Sequence, residues 1–132
     1  MDYKIRLIRY LYYFSLTGLL IIYLFPGSLL GYFFYGDLRQ QPHIISNPFG
    51  TSINHFIAFF YLSILGLISY MKEASFKQTV IFLIVLSLLL ELFHLIIPNR
   101  SFQSLDLFGN LIGTLLSIGI IFLYKRLKNG KI

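Results

Sequence analysis

The sequence predicts an all-α integral membrane protein, a four-helix bundle with both termini cytoplasmic, and three observations predict it. The chain is 57% hydrophobic and only 12% charged, where an ordinary soluble domain carries about 25% charged residues. Four apolar runs come close to the roughly 20 residues that a helix needs to cross a hydrocarbon layer. The cations are sorted to one side of those runs. At 132 residues the chain is too short for two domains, so a single membrane domain over 1–132 is expected.

The first run covers 7–25 and stops at Pro26-Gly27. It has the basic start and apolar core of a signal peptide, but it exceeds the usual length and lacks a small-x-small cleavage site, so it reads as a retained helix. The segment 26–52 is the longest connection and holds Gly27, Gly31, Gly36, Gly50, Pro42 and Pro48, which break any long helix. Its Leu29, Leu30, Tyr32, Phe33, Phe34 and Tyr35 suit an interfacial segment that caps the bundle. The second run covers 53–71 and the third 79–97. Their short connection makes them antiparallel neighbours. The fourth run covers 107–124 and ends at Lys125-Arg126.

Orientation follows from the cations. Lys4, Arg6, Arg9, Lys72, Lys77, Lys125, Arg126, Lys128 and Lys131 fall on one side of the runs, and only Arg39 and Arg100 on the other. By the positive-inside rule the first side is cytoplasmic. The net charge of +6 is thereby accounted for without nucleic acid, and no nucleic-acid partner is expected. The absence of cysteine excludes disulfides, thiolate catalysis and thiolate metal sites.

Polar residues inside apolar runs are costly and mark sites. They concentrate between Glu91 and Gly113, and the topology brings them to one level on the outer side: Asn54 and His55 at the head of the second helix, Glu91 and His94 near the end of the third, and Asp106 and Asn110 at the start of the fourth. Glu91 and His94, three residues apart, share a helix face that Ser87 and Pro98 extend. Asp106, Asn110, Gly113 and Ser117 form one stripe of polar and small residues. Gly109, Gly113 and Ser117 let a neighbouring helix approach closely. Arg100, in the link that follows, can fold back over the cluster.

These residues admit several chemistries. His55, Arg100, Asp106, Asn110 and Asn54 make a candidate binding set for an anion, with Arg100 and the imidazoles as donors. Glu91, His94 and Arg100 make a candidate catalytic set, with Glu91 as general acid or base, His94 sharing its proton and Arg100 stabilising negative charge. An Arg100 ion pair with Glu91 or Asp106 could instead lock the third helix to the fourth. His55, Glu91, His94 and Asp106 could in principle bind a divalent metal, but no His-Glu-x-x-His fixes the geometry. No metal or cofactor is therefore expected. No serine lies in a nucleophile elbow, and no relay of ionisable residues crosses the membrane.

The pattern Glu91-x-x-His94-x-x-x-Pro98-Asn99-Arg100, followed by Asp106-x-x-x-Asn110-x-x-Gly113 and preceded by Asn54-His55-Phe56, resembles the VanZ-like family. These are small bacterial membrane proteins named for a teicoplanin resistance protein, and the resemblance runs from Leu24-Phe25-Pro26 to the fourth helix. Two positions depart from the pattern. His94 stands where relatives commonly have Gln, which makes the site more titratable, and Thr51-Ser52 replaces an Asp-Lys pair. The resemblance implies a bacterial membrane protein, with a link to glycopeptide tolerance in some members.

The leading expectation is a binding module for the anionic headgroup of a cell-envelope lipid. An enzyme acting on a lipid phosphate or glycosyl-lipid is the alternative, and a scaffold for another membrane protein or a homo-oligomer is a third.

Overall fold

The computed structural model describes residues 3–42 and 52–128. Pro48, Gly50, Thr51 and Lys131, which entered the reading of the sequence, lie outside the described residues. Five helices account for the regular structure: α1 (Tyr3–Leu24), α2 (Leu29–Tyr35), α3 (Ser52–Tyr70), α4 (Phe76–Phe93) and α5 (Ser104–Lys128). Four of them, α1, α3, α4 and α5, are long and apolar enough to cross a membrane. The all-α class with four long apolar helices is as expected; the helix count is five rather than four.

The additional helix occupies the segment read as broken by glycine and proline. It is two turns long, with Ser28 and Gly36 as its caps. Ser28 Oγ accepts from the Gly31 N–H at 2.9 Å, and Gly36 closes the helix in the left-handed region at φ 71°. The chain then folds back across α2, passing so close to Gly31 that an added Cβ would lie 1.7 Å from the Gln40 carbonyl oxygen. Phe33 and Phe34 stay largely exposed on its outer face.

The helix ends around Pro98 also differ from expectation. α4 stops at Phe93 rather than continuing to 97, and α5 begins at Ser104 rather than 107. Pro98 disfavours helical geometry at Ile97, and Asn99 turns the chain at φ 58°. His94, Leu95 and Ile96 bond three residues back instead of four, so the chain leaves α-helical geometry before the proline is reached. Asp106 consequently sits inside the first turn of α5, where the exposed N–H groups favour a carboxylate.

α3 packs most extensively against α5 and also meets α1 and α4. The start of α1, the end of α3, the start of α4 and the end of α5 meet at one end of the bundle. There Arg9 donates to the Ser69 carbonyl at 2.9 Å and pairs with Glu73, while Lys125 donates to the Met71 carbonyl at 3.2 Å. Cations read as topology signals thus also fasten α1 and α5 to the α3–α4 turn.

Large apolar side chains such as Phe14, Ile81, Ile112 and Phe122 are exposed, whereas Ser63, Ser87, Glu91, Asn110, Thr114 and Ser117 have no accessible surface. Polar groups inside and apolar groups outside suit a lipid surround.

Candidate functional site

At the end of the bundle opposite the Arg9–Glu73 pair, α3, α4 and α5 each direct one ionisable side chain to a common point. His55 comes from the first turn of α3, Glu91 from the last turn of α4 and Asp106 from the first turn of α5. Their approach depends on the tight α3–α5 contact. A Cβ on Gly109 would lie 2.6 Å from the Ser52 carbonyl oxygen, and one on Gly113 would lie 2.5 Å from that of Phe56. One turn further along, Ser117 Oγ donates to the Phe60 carbonyl at 2.9 Å.

Glu91 and Asp106 are buried. His55 Nε2 lies 3.4 Å from Asp106 Oδ2, and His55 Nδ1 lies 3.7 Å from Glu91 Oε2. His94, which caps α4, brings Nδ1 to 3.2 Å from Glu91 Oε2. The other oxygens of the two carboxylates are held by donors: Glu91 Oε1 accepts from the Gln103 N–H at 3.0 Å, and Asp106 Oδ1 from Ser52 Oγ at 2.7 Å. Glu91 Oε2 is buried and makes no well-formed hydrogen bond; of its two imidazole contacts, His94 Nδ1 is the closer.

Asn110 and Tyr23 fix the orientation of His55. The Asn110 amide donates to the Ser87 carbonyl at 3.4 Å, so its Oδ1 faces the Tyr23 hydroxyl at 3.0 Å and His55 Nδ1 at 3.2 Å. Tyr23 Oη lies 2.9 Å from His55 Nδ1. A proton on Nδ1, with the Tyr23 O–H spent on Asn110, satisfies all three contacts, and in a neutral ring it leaves the lone pair of Nε2 towards Asp106. His94 Nε2 approaches the Tyr23 carbonyl at 3.1 Å, and its ring stacks on the Tyr23 ring with centroids 5.7 Å apart.

Arg100 reaches over this end of the bundle, but its hydrogen bonds go to the end of α1. Nη2 donates to the Ile22 carbonyl at 2.5 Å and Nε to the Phe25 carbonyl at 3.3 Å. An Arg100 ion pair with Glu91 or Asp106 does not form among the described residues. A cation on the terminal carbonyls of a helix suits its dipole. Burial pushes the guanidinium pKa down, while the acidic groups of Tyr23 and Glu91 oppose that shift. Its ordinary value is far enough above neutrality for it to stay charged.

A cavity of about 170 Å³ opens beside the cluster, and its polar lining includes Tyr23, Asn54, His55, His94 and Arg100. Glu91 and Asp106 are not among its lining residues. Asn54 donates to the Pro42 carbonyl at 3.3 Å, which ties the segment after α2 to the rim.

The structure thus brings His55, Glu91, His94, Asp106 and Asn110 into one network, with Arg100 and Asn54 at the cavity wall. Gly109, Gly113 and Ser117 lie on the α3–α5 contact. Reasoning from sequence missed Tyr23, Gln103 and Ser52. Tyr23 carried a usable signal, a phenol buried three residues before the Pro26 that ends the first run. Gln103 acts through its main chain, which no side-chain pattern announces.

No curated protein and no solved structure matches the chain. The VanZ/LLP1 family model matches residues 21–125, from the last turn of α1 almost to the end of α5, and so takes in every residue of the site. A match over most of the sequence, joined to four helices of spanning length and composition, makes this a multi-pass membrane protein that belongs to the VanZ/LLP1 family.

Proposed function

We propose that the protein lies in a bacterial cytoplasmic membrane with both termini cytoplasmic and binds the anionic headgroup of a cell-envelope lipid in the outer leaflet. One observation carries the reading: the cavity wall presents Arg100, His55, His94, Tyr23 and Asn54, while the carboxylates of the same network are absent from it. A wall that carries a guanidinium with spare donors and no carboxylate favours an anion. Arg100 spends two N–H groups on the Ile22 and Phe25 carbonyls at the end of α1 and just beyond it and keeps the rest of its five for a ligand. The apolar remainder of the lining, including Leu19, Ile22 and Leu30, suits the first part of an acyl or prenyl chain. Any contribution to teicoplanin tolerance would run through that lipid.

Arg100→Ala is expected to lower retention of anionic lipid about tenfold, the size of one charge-assisted hydrogen bond, as read by native mass spectrometry of protein extracted from membranes. Zwitterionic lipid should be retained as before. Unchanged anionic retention in a folded variant would overturn the reading.

A second reading has its own support. Glu91 Oε2, buried and without a well-formed hydrogen bond, stands 3.2 Å from His94 Nδ1, a pairing suited to holding or passing one proton. Since Glu91 does not line the cavity, the proton would reach a bound headgroup through His94, whose Nε2 would have to leave the Tyr23 carbonyl to deliver it. In this reading the protein turns over a lipid phosphate or glycosyl-lipid, and Glu91→Gln abolishes turnover while lipid is still retained. Turnover that survives Glu91→Gln would eliminate it.

A further inference from the structure

We propose that His55, Glu91 and Asp106 hold a single divalent transition-metal ion, Zn²⁺ or Mn²⁺. This does not rest on the lipid reading, because two of the three residues, Glu91 and Asp106, stand behind the cavity wall and only His55 reaches it.

Each of the three offers one ligand atom, and these atoms all lie within 4.8 Å of one another. Bonds of about 2.0–2.2 Å to an ion put neighbouring ligand atoms roughly 3 to 3.5 Å apart, and His55 Nε2 and Asp106 Oδ2 already stand at 3.4 Å. Glu91 completes the set within the 4.8 Å spread, and its carboxylate has to move towards His55 Nε2 to bind the same ion. Three different helices supply the ligands, so no sequence motif of close spacing is to be expected.

Two further observations point to an ion at that position. The hydrogen bonds around Asn110 place a proton of His55 on Nδ1, so in a neutral ring the Nε2 lone pair faces a carboxylate oxygen of Asp106. Two acceptors set face to face repel unless a proton or a cation lies between them. Glu91 Oε2 is buried and makes no well-formed hydrogen bond, His94 Nδ1 at 3.2 Å being the closer of its two imidazole contacts, a costly state for a carboxylate oxygen. One ion at the common point relieves both.

Each ligand also has an orienting partner on its far side, as metal ligands usually do. Tyr23 and Asn110 hold His55 Nδ1, the Gln103 N–H holds Glu91 Oε1, and Ser52 holds Asp106 Oδ1. One imidazole with two carboxylates suits Zn²⁺ or Mn²⁺. Three protein ligands leave at least one position open, and His55 lines the cavity, so an anionic oxygen bound there would lie beside the ion.

The test is metal uptake by the full chain in detergent, stripped with chelator and then titrated with Mn²⁺ or Zn²⁺ alone. One equivalent should be retained through gel filtration. His55→Gln, Glu91→Gln and Asp106→Asn should each weaken retention at least tenfold. Arg100→Gln should keep the metal while losing anionic lipid, so failure of the lipid reading and failure of the metal site give different results. Should a ligand variant not fold, pulsed paramagnetic resonance of Mn²⁺ on the parent chain decides the matter: coupling to one imidazole nitrogen is expected, and it should persist in His94→Gln. No uptake by the parent, equal uptake by the folded ligand variants, or bound Mn²⁺ without nitrogen coupling would each overturn the proposal, the last two by leaving a proton as the group between His55 and Asp106.

Discussion

Asn110 organises the site with a single amide. Its nitrogen donates to the Ser87 carbonyl, and its oxygen accepts from Tyr23 and faces His55 Nδ1. It is wholly buried, so removing it exposes none of these partners to water. Asn110→Ala is therefore expected to cost about 2 kcal/mol, since unsatisfied buried groups cost about 1–3 kcal/mol each while membrane hydrogen bonds average well below that. Thermal unfolding in detergent would register it, and a variant as stable as the parent would show that these contacts contribute little. Tyr23→Phe removes only the hydroxyl, leaves the ring stacked on His94, and should cost less than Asn110→Ala in the same measurement. The contrast with Arg100 is instructive: its charge was legible in the sequence, its partners were not. The carbonyls of Ile22 and Phe25 are acceptors only because α1 ends there, and a main-chain acceptor leaves no mark on residue type.

At the scale of elements, the contact between α3 and α5 sets the distance between His55 and Asp106. Gly109 and Gly113 face the backbone of α3, and an added Cβ on Gly113 would lie 2.5 Å from the Phe56 carbonyl oxygen and 2.9 Å from the Phe60 nitrogen. Backbone cannot rotate aside as a side chain can. Gly113→Ala should thus push the helices apart and cost about 2 kcal/mol by overpacking. Gly119→Ala, on the same helix but with open space around it, should be neutral or stabilising by up to about 1 kcal/mol through helix propensity. Equal melting temperatures for the two variants would show that glycine at 113 has no special packing role. The four long helices could be read directly, because a lipid surround demands long apolar runs and the breaks at Pro26 and Pro98 delimit them. α2 could not, because a two-turn helix needs neither length nor periodicity, only Ser28 and Gly36 at its ends. The early stop of α4 was equally hidden: apolar residues continue to Ile97, so hydropathy carries on where the backbone has already turned.

At the scale of the whole molecule, charge and chemistry occupy opposite ends. Lys72, Lys77, Lys125, Arg126 and Lys128 gather with Arg9 around the α3–α4 turn, whereas the opposite end holds Arg39, Arg100 and the polar network. The positive-inside bias acts on short loops flanking spans, and every segment here is short enough to obey it. The basic end should therefore be cytoplasmic, and the cavity should open towards the outer leaflet. Because the chain has no cysteine, single introduced thiols report orientation without background. Gln40→Cys, at an exposed position near the cavity end, should react with a membrane-impermeant maleimide in intact cells. Ala74→Cys, exposed in the α3–α4 turn, should react only after the cells are opened, and neither substitution alters the charge bias that directs insertion. The reverse pattern would place the site on the cytoplasmic face, where its ligand would have to be an inner-leaflet lipid, while labelling of both positions in intact cells would show mixed orientation and remove the topological support for an outer-leaflet headgroup.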